Sequence, residues 1–306
     1  MSISGAINSA RTGLQITGLR AGVVATNVAN AATPGFVRRS VSLSETLLNG
    51  ETSGVRSDGI TRADNPRLTE QRRSASSDLT QANVLSSAWA TLSAKLGDSL
   101  ESSGLFAAYA DFGTALSNAA LTPESDAALT QAVAAAGHVT SVFSDLSTSV
   151  SRMRQESDRE IADGVEVVNS ALKKVEDLNA RLSGVDRTSG EAATLRDERQ
   201  RTLDTIAEFL PIQTVERDFG GLDVLTREGV FLLAGSARQI SFTPSPAFGP
   251  DQTLAGGQLS ALMVGDTNIT PGATTYGAVS SGVISGLFRL RDTDLTGFGT
   301  QLDALA

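Results

Sequence analysis

His138 is the only histidine in the chain, and Ser141 and Asp145 follow it closely enough for a base, a nucleophile and an orienting carboxylate to be nominated. It also follows Ala134-Ala135-Ala136-Gly137 and sits within a helical stripe of Val139, Phe143, Leu146, Val150 and Met153, so a helix-surface histidine is the favoured reading. Asp292, Asp294, Gly297 and Asp303 occupy the first, third, sixth and twelfth positions of an EF-hand-like loop. Thr296 stands at the fifth position, an aspartate stands where a bidentate glutamate is expected, and Leu295 and Phe298 fit an apolar helical stripe. A solvated helix face is therefore favoured over a calcium site. Leu195-Arg196-Asp197-Glu198-Arg199 packs four charges together. On a helix, Asp197 and Glu198 reach Arg201 at four- and three-residue spacing, which predicts a solvated charge run with local ion pairs. Arg38-Arg39 could touch phosphate, but two arginines fall far short of a nucleic-acid patch. With no glycine-rich phosphate loop and no nucleophile elbow, no catalytic, cofactor-binding or metal residues are expected.

The composition agrees. The chain has 306 residues, no cysteine and a formal charge of −9. Without cysteine there are no disulfides, thiolate nucleophiles or cysteine-bound zinc, and one histidine cannot build a multi-histidine metal site. Residues 1–44 hold Arg11, Arg20, Arg38 and Arg39 and no acid, which leaves 21 basic against 34 acidic residues behind them. An acidic body argues against a nucleic-acid groove and against a polybasic membrane anchor. No stretch reaches the roughly 20 apolar residues of a membrane span, and the first 30 residues hold no secretory apolar core. An acid-free, arginine- and serine-containing amphipathic front end is also the composition of a mitochondrial transit peptide.

Spacing of apolar residues then supplies the elements. Ile3, Ile7, Ala10, Leu14, Thr17, Ala21, Val24 and Val28 alternate four and three residues apart, a heptad stripe. Gly5, Gly13, Gly18 and Gly22 interrupt it, each costing roughly 1 kcal/mol against alanine, so this helix is expected to need a partner. Leu85, Trp89, Leu92, Leu96 and Leu100 mark a second helix, and Phe106, Tyr109, Phe112 and Leu116 a shorter one. Thr122-Pro123-Glu124 reads as the start of a helix that continues through Ile161, Val165, Val168, Leu172 and Val175 to Ser183-Gly184. Another runs from about Glu191 to Leu210. After Pro211 the period shortens, and Gly220-Gly221 and Glu228-Gly229 read as hairpin turns between β-prone segments. Leu287, Leu295, Phe298, Leu302 and Leu305 restore a helical stripe that stops in mid-helix at Ala306. The expected fold is mainly α with a small β module, an elongated long-helix rod with an inserted β-rich domain and a terminal coiled-coil-like helix. Its segments are 1–43 (N-terminal amphipathic helix and hinge), 44–210 (long helices), 211–282 (β-rich module) and 283–306 (returning helix).

The most discriminating segment is Asn27-Val28-Ala29-Asn30-Ala31-Ala32-Thr33-Pro34-Gly35-Phe36. Two asparagines three apart share a helix face and can bond backbone near the helix end. Thr33-Pro34-Gly35 stops the helix and turns the chain, and Phe36 is an aromatic plug where the chain leaves it.

An amphipathic helix leading into N-x-A-N-x-x-T-P-G-[FY] resembles the shared start of the bacterial flagellar axial proteins: rod, hook and hook-associated proteins. Gly35-Phe36-Val37-Arg38-Arg39 resembles the Gly-Tyr-Ser-Arg start of the hook-associated protein 1 family, with Phe for Tyr and Val for Ser. Val168-Asn169 to Asp177-Leu178-Asn179, Leu195-x-Asp197-x-Arg199 to Leu203-Asp204, and Gly286-Leu287-Phe288-Arg289-Leu290-Arg291-Asp292 through Leu302-Asp303-Ala304-Leu305-Ala306 resemble three later segments of that family. The resemblance implies a secreted, non-enzymatic structural subunit of the bacterial flagellum, located at the hook–filament junction. It would leave the cell through the flagellar type III apparatus, escorted by a cytoplasmic export chaperone. It would form a homo-oligomeric ring between the hook protein and hook-associated protein 3, with no cofactor. On this reading Ile3, Ile7, Leu14, Val24 and Val28 pack between subunits, and Asn27, Asn30, Thr33, Pro34, Gly35 and Phe36 form a hinge. The family's N-terminal helix pairs with a C-terminal one, expected to be missing beyond Ala306, so residues 1–35 are expected to be disordered or loosely held in the isolated chain. The alternatives are a rod or hook protein of the same superfamily, and an organellar helical protein with a cleaved transit peptide.

Overall fold

A computed structural model describes residues 3–48, 51–97, 103–246, 248–249, 252–254 and 256–305. The fold is mainly α with small antiparallel sheets. Leu100 and Ala306, which entered two of the helical stripes, lie outside the described residues. The chain divides into two compact units.

The first unit contains Met1–Ala75, Val168–Ala207 and Ile212–Gln239. It opens with α1 (Ile3–Ala29), followed by a hairpin of β1 (Arg39–Leu48) and β2 (Glu51–Arg62) that packs along α1. This hairpin corrects the expectation that residues from 44 onward are long helix. Hydroxyl-rich Ser40-Val41-Ser42-Leu43-Ser44 alternates polar and apolar residues with the period of a strand, and bulges at Ser42/Leu43 and Thr46/Leu47 shift its register. The helix therefore has a partner within its own chain. Asn8 Nδ2 donates to the Ser53 carbonyl at 3.2 Å, and the Val55 amide donates to Thr12 Oγ1 at 3.4 Å. The unit also takes in the start of α2 (Pro66–Leu96), the end of α4 (Asp126–Ser183) and most of α5 (Gly190–Phe209). Leu178 and Leu182 pack against Ala192 and Leu195, joining α4 to α5. A four-stranded meander follows, β3 (Ile212–Glu216), β4 (Leu222–Thr226), β5 (Phe231–Ala234) and β6 (Ser236–Ala237). Its first two connections fall at the Gly220-Gly221 and Glu228-Gly229 turn signals. Leu222, Val224 and Thr226 alternate inward along β4, the period of two expected of a half-buried strand.

The second unit contains Ser76–Val167, Glu208–Pro211 and Ile240–Ala306. Its core joins Ala88 and Leu92 of α2, Leu105 of α3 (Leu105–Leu121), Leu146 and Val150 of α4, and Leu295, Phe298 and Leu302 of α7 (Leu295–Leu305). Trp89 meets Phe298 edge to face at 6.2 Å. Facing alanines, Ala115 and Ala119 of α3 against Ala132 of α4, let those helices approach closely. α4 begins at Asp126, not at Pro123: Ser125 Oγ accepts the Ala128 amide at 3.3 Å and caps the helix, while Thr122 closes α3 instead. Three two-residue strands, β7 (Ile240–Ser241), β8 (Met263–Val264) and β9 (Thr267–Asn268), form a small three-stranded sheet. A π-turn over Leu290–Asp294 links α6 (Val283–Arg289) to α7 and buries Arg291 completely. Gly282 starts α6 at φ +92°, and a Cβ there would overlap the Phe209 carbonyl, so only glycine fits.

Candidate functional site: the hinge after the first helix

The last turn of α1 is tied to the strand that follows it. Asn27 Nδ2 donates to the Arg39 carbonyl at 2.8 Å, and its Oδ1 accepts the Arg39 amide at 2.9 Å. One side chain thereby satisfies both backbone groups of the residue that opens β1. Asn30 turns the other way, with Nδ2 donating to the Thr26 carbonyl at 2.9 Å and Oδ1 accepting from Thr33 Oγ1 at 3.3 Å. The chain then winds down through two tight turns, Thr33 amide to Asn30 carbonyl at 2.9 Å and Phe36 amide to Thr33 carbonyl at 3.1 Å. Pro34 lies between them, where no amide is needed. Gly35 takes φ +74°, and a Cβ would overlap the Arg201 side chain from α5. Phe36 carries the Arg39 guanidinium over its ring at 5.1 Å.

Arg39 leads to the centre of the site. Its Nη2 pairs with Asp197 Oδ2 at 2.7 Å, while Arg62 Nη2 reaches Asp197 Oδ1 at 2.8 Å, so one carboxylate joins the two ends of the β1–β2 hairpin to α5. Asp197 is 2% exposed. Two turns further along, Asp204 binds Arg72 and Arg73 of α2 at 2.5 and 2.8 Å. Arg199, 8% exposed, donates to Asn179 Oδ1 at 2.8 Å and to the Gly220 carbonyl at 2.7 Å. Burial and then the charge of Arg196 pull its pKa down to about 10.

These contacts overturn the reading of residues 195–199 as a solvated charge run. Asp197 and Arg199 are interior; Glu198 alone behaves as a surface pair, with Lys174 at 2.8 Å. A signal was available in the spacing. Leu195, Arg199 and Leu203 stand four apart, which places the guanidinium on the apolar stripe of its helix. Asp197, Arg199 and Asn179 stand in the family-like segments without any interior role read from them there, and Arg62 carries no sequence signal of its own.

The residues expected at subunit interfaces lie apart from that cluster. Ile3, Ile7, Leu14, Val24 and Val28 are 82%, 65%, 76%, 59% and 73% exposed, on the face of α1 that the hairpin leaves open; Val23 alone is buried. Elsewhere, His138 is exposed on α4. Asp292 pairs with Arg291 at 2.8 Å and Asp294 with Arg289 at 3.4 Å. Among the described residues no group of carboxylates and histidine could hold a metal, and no helix is long and apolar enough to cross a membrane.

Residues 67–306 match the family described as the flagellar hook-associated protein FlgK helical domain. No curated protein matches the chain. Among solved structures, the flagellar hook junction protein FlgK from Burkholderia pseudomallei shares the fold at a TM-score of 0.54 and 17% identity, over 74% of this chain and 39% of that one. The present chain thus spans about two-fifths of that protein's length. With three-quarters of its residues under the family match, the chain belongs to the FlgK family of flagellar hook-associated proteins.

Proposed function

We propose that the chain is a structural subunit of the bacterial flagellum that assembles at the junction of hook and filament. It joins copies of itself in a ring, with the hook protein on one side and hook-associated protein 3 on the other. It reaches that place through the flagellar type III apparatus with a cytoplasmic chaperone, and its work is packing, not catalysis. Beyond family membership, the observation that carries this reading is the outward apolar stripe of α1. Five large aliphatic residues in heptad register face solvent on a helix whose opposite face is already held by a hairpin. Such a stripe buries itself against further helices when subunits assemble. The hinge suits the same role: Asn27, Asn30, Thr33, Pro34 and Gly35 fix the angle at which the tube-forming helix leaves the rest of the subunit.

Deleting the gene tests the assignment. The expected result is cells with complete hooks and no filament, restored by the gene in trans. Loss of the hook itself would move the protein to the rod or hook, and normal filaments would reject a flagellar role.

A further inference from the structure

The first unit contains a cleft of about 530 Å3 lined by six arginines and only three carboxylates, in a chain whose overall charge is −9. Three of the arginines are already held by acids: Arg62 by Asp197, Arg73 by Asp204 and Arg217 by Asp223. The other three are not. Among the described residues, Arg199 donates only to neutral oxygens, those of Asn179 and Gly220, and Arg196 donates to the Arg187 carbonyl at 3.0 Å. Among the described residues, no carboxylate lies within ion-pairing distance of Arg187, Arg196 or Arg199. The depressed pKa of Arg199 has this origin: burial first, then repulsion from Arg196, with Arg62 and Arg73 adding and Glu216 partly opposing. A buried guanidinium facing further guanidinium groups is an environment that an entering anion stabilises. Beside the cleft, between the lining residues Arg217 and Gly220, Phe219 holds a left-handed conformation at φ 60° with its ring exposed. Strain at a non-glycine residue of this kind concentrates at binding sites.

We infer that this cleft receives a carboxylate-bearing helix face of a neighbouring copy of the chain, supplied by Glu156, Glu160 and Asp163 of α4. The inference rests on the assembly reading above. Those three acids lie four and three residues apart, hence on one face of α4, and all are exposed. Burial and then the charges of Glu156 and Asp163 push the Glu160 carboxyl up, and Arg152 offsets Glu156 only through an exposed contact at 3.8 Å, so this face keeps like-charge repulsion that approaching cations relieve. Guanidinium and carboxylate pair through two parallel hydrogen bonds, which fixes orientation as well as sign. A contact between two different patches of one subunit is heterologous, and repeated around an axis it builds a ring. An excess of acid over base across the chain as a whole disfavours a nucleic acid as the occupant.

The absence of native cysteine makes the contact directly readable. The full-length protein carrying both Arg196→Cys and Glu160→Cys is expressed in the deletion strain, and isolated hook structures are oxidised. Covalent dimers and a ladder of higher multimers are expected from the double variant and from neither single one. In a second arm, Arg187→Glu with Arg196→Glu should lower the number of filamented cells about tenfold, because like charges then face each other. Adding Glu160→Arg with Asp163→Arg should restore them. A double-cysteine chain that assembles without cross-linking overturns the inference, as does a charge-reversed chain that assembles normally. Either result leaves the flagellar assignment standing, because that depends on loss of filaments in the deletion strain. If the reversed chain fails to fold, the cross-linking arm decides alone.

Discussion

Asn27 holds Arg39 by both of that residue's backbone groups, at 2.8 and 2.9 Å, so the end of the first helix and the start of the hairpin are joined through one amide side chain. Each such bond to a partly buried partner contributes about 1 kcal/mol. Asn27→Ala should therefore lower the stability of the first unit by about 2 kcal/mol. Asn27→Asp should cost a similar amount, since it keeps the acceptor for the Arg39 amide but sets a carboxylate against the Arg39 carbonyl. Urea unfolding gives the magnitude, and accelerated exchange of the Arg39 amide locates it. Unchanged exchange at Arg39 would show that the pair does not hold the hinge.

Asp197 balances two guanidinium groups in a nearly dry setting, with side-chain exposures of 10% for Arg39 and 7% for Arg62. Removing one member of a buried ion network leaves uncompensated charge, at a cost of about 3–5 kcal/mol. Asp197→Asn should fall in that range, whereas Glu198→Gln, which removes a half-exposed pair with Lys174, should change stability by less than about 1 kcal/mol. Guanidinium chloride is unsuitable for this comparison because its ions screen the pairs under study; urea melts are the appropriate measurement. Equal losses from the two variants would contradict the interior placement of Asp197.

The contrast between Asp197 and Glu198 also separates what spacing along the chain conveys from what it does not. Long helices follow from local period, because every turn repeats the same apolar spacing; the stripe that ends at Leu182 and Ser183 forms one continuous α4. The meander turns at Gly220-Gly221 and Glu228-Gly229 were legible for the same reason, being chosen by residues within the turn itself. The β1–β2 hairpin was not. Its strands are short in large apolar residues, and what holds them is distant in sequence: the Ile60 amide bonds the Thr188 carbonyl at 2.7 Å, and Arg62 bonds Asp197. Spacing within a helix shows that Arg199 shares a stripe with Leu195 and Leu203, but not that Asn179 and the Gly220 carbonyl wait there to receive it. The asparagine pair was legible as a helix-end device, and its particular partner, Arg39, was not.

In the second unit, Arg291 is wholly buried in the π-turn, paired with Asp158 at 2.5 Å and stacked over Phe288 at 4.6 Å. Asp158 is closed on its other side by the Ser245 amide at 2.6 Å. Arg291→Met strands that carboxylate, also frees Asp292 from its pair at 2.8 Å, and should destabilise the unit by about 3–5 kcal/mol. Adding Asp158→Leu removes the more deeply buried of the two freed carboxylates and should recover more than half of the loss, although the Ser245 amide loses its bond to Oδ2. A double variant no more stable than Arg291→Met would locate the importance of Arg291 in its ring contacts, not in its charge.

Asp186 governs the turn between α4 and α5. Its Oδ1 accepts from the Thr188 amide at 2.9 Å and from Thr188 Oγ1 at 2.8 Å, and these bonds hold its carboxyl below the ordinary value of 3.8. A group whose folded pKa is depressed contributes its stability in full above the unfolded pKa and loses it as pH falls through the folded one. The stability difference between the native chain and Asp186→Ala should therefore be constant from neutral pH down to the ordinary carboxylate range and shrink below it. Asp186→Asn keeps an acceptor that does not titrate, so its difference from alanine should stay flat. Urea midpoints taken over the acid range provide the test, and a native-to-alanine difference that grows on acidification would rule out this role.

The outward stripe of α1 separates folding from assembly. Ile7 and Leu14 are 65% and 76% exposed, so charging them removes no buried contact within the chain. Ile7→Asp with Leu14→Asp should shift stability by no more than about 0.5 kcal/mol per site, the usual range for surface positions. In the assembled structure the same aspartates would lie in an apolar seam, where a carboxylate without a partner is strongly disfavoured. The double variant is thus expected to fold normally, to be exported, and to leave hooks without filaments. The control is Val23→Asp on the opposite face, which charges the one buried position of α1 and should damage folding first. Near-native urea melts together with bare hooks identify the stripe as the surface between subunits. If the Ile7 and Leu14 variant builds filaments as well as the native chain, that surface lies elsewhere.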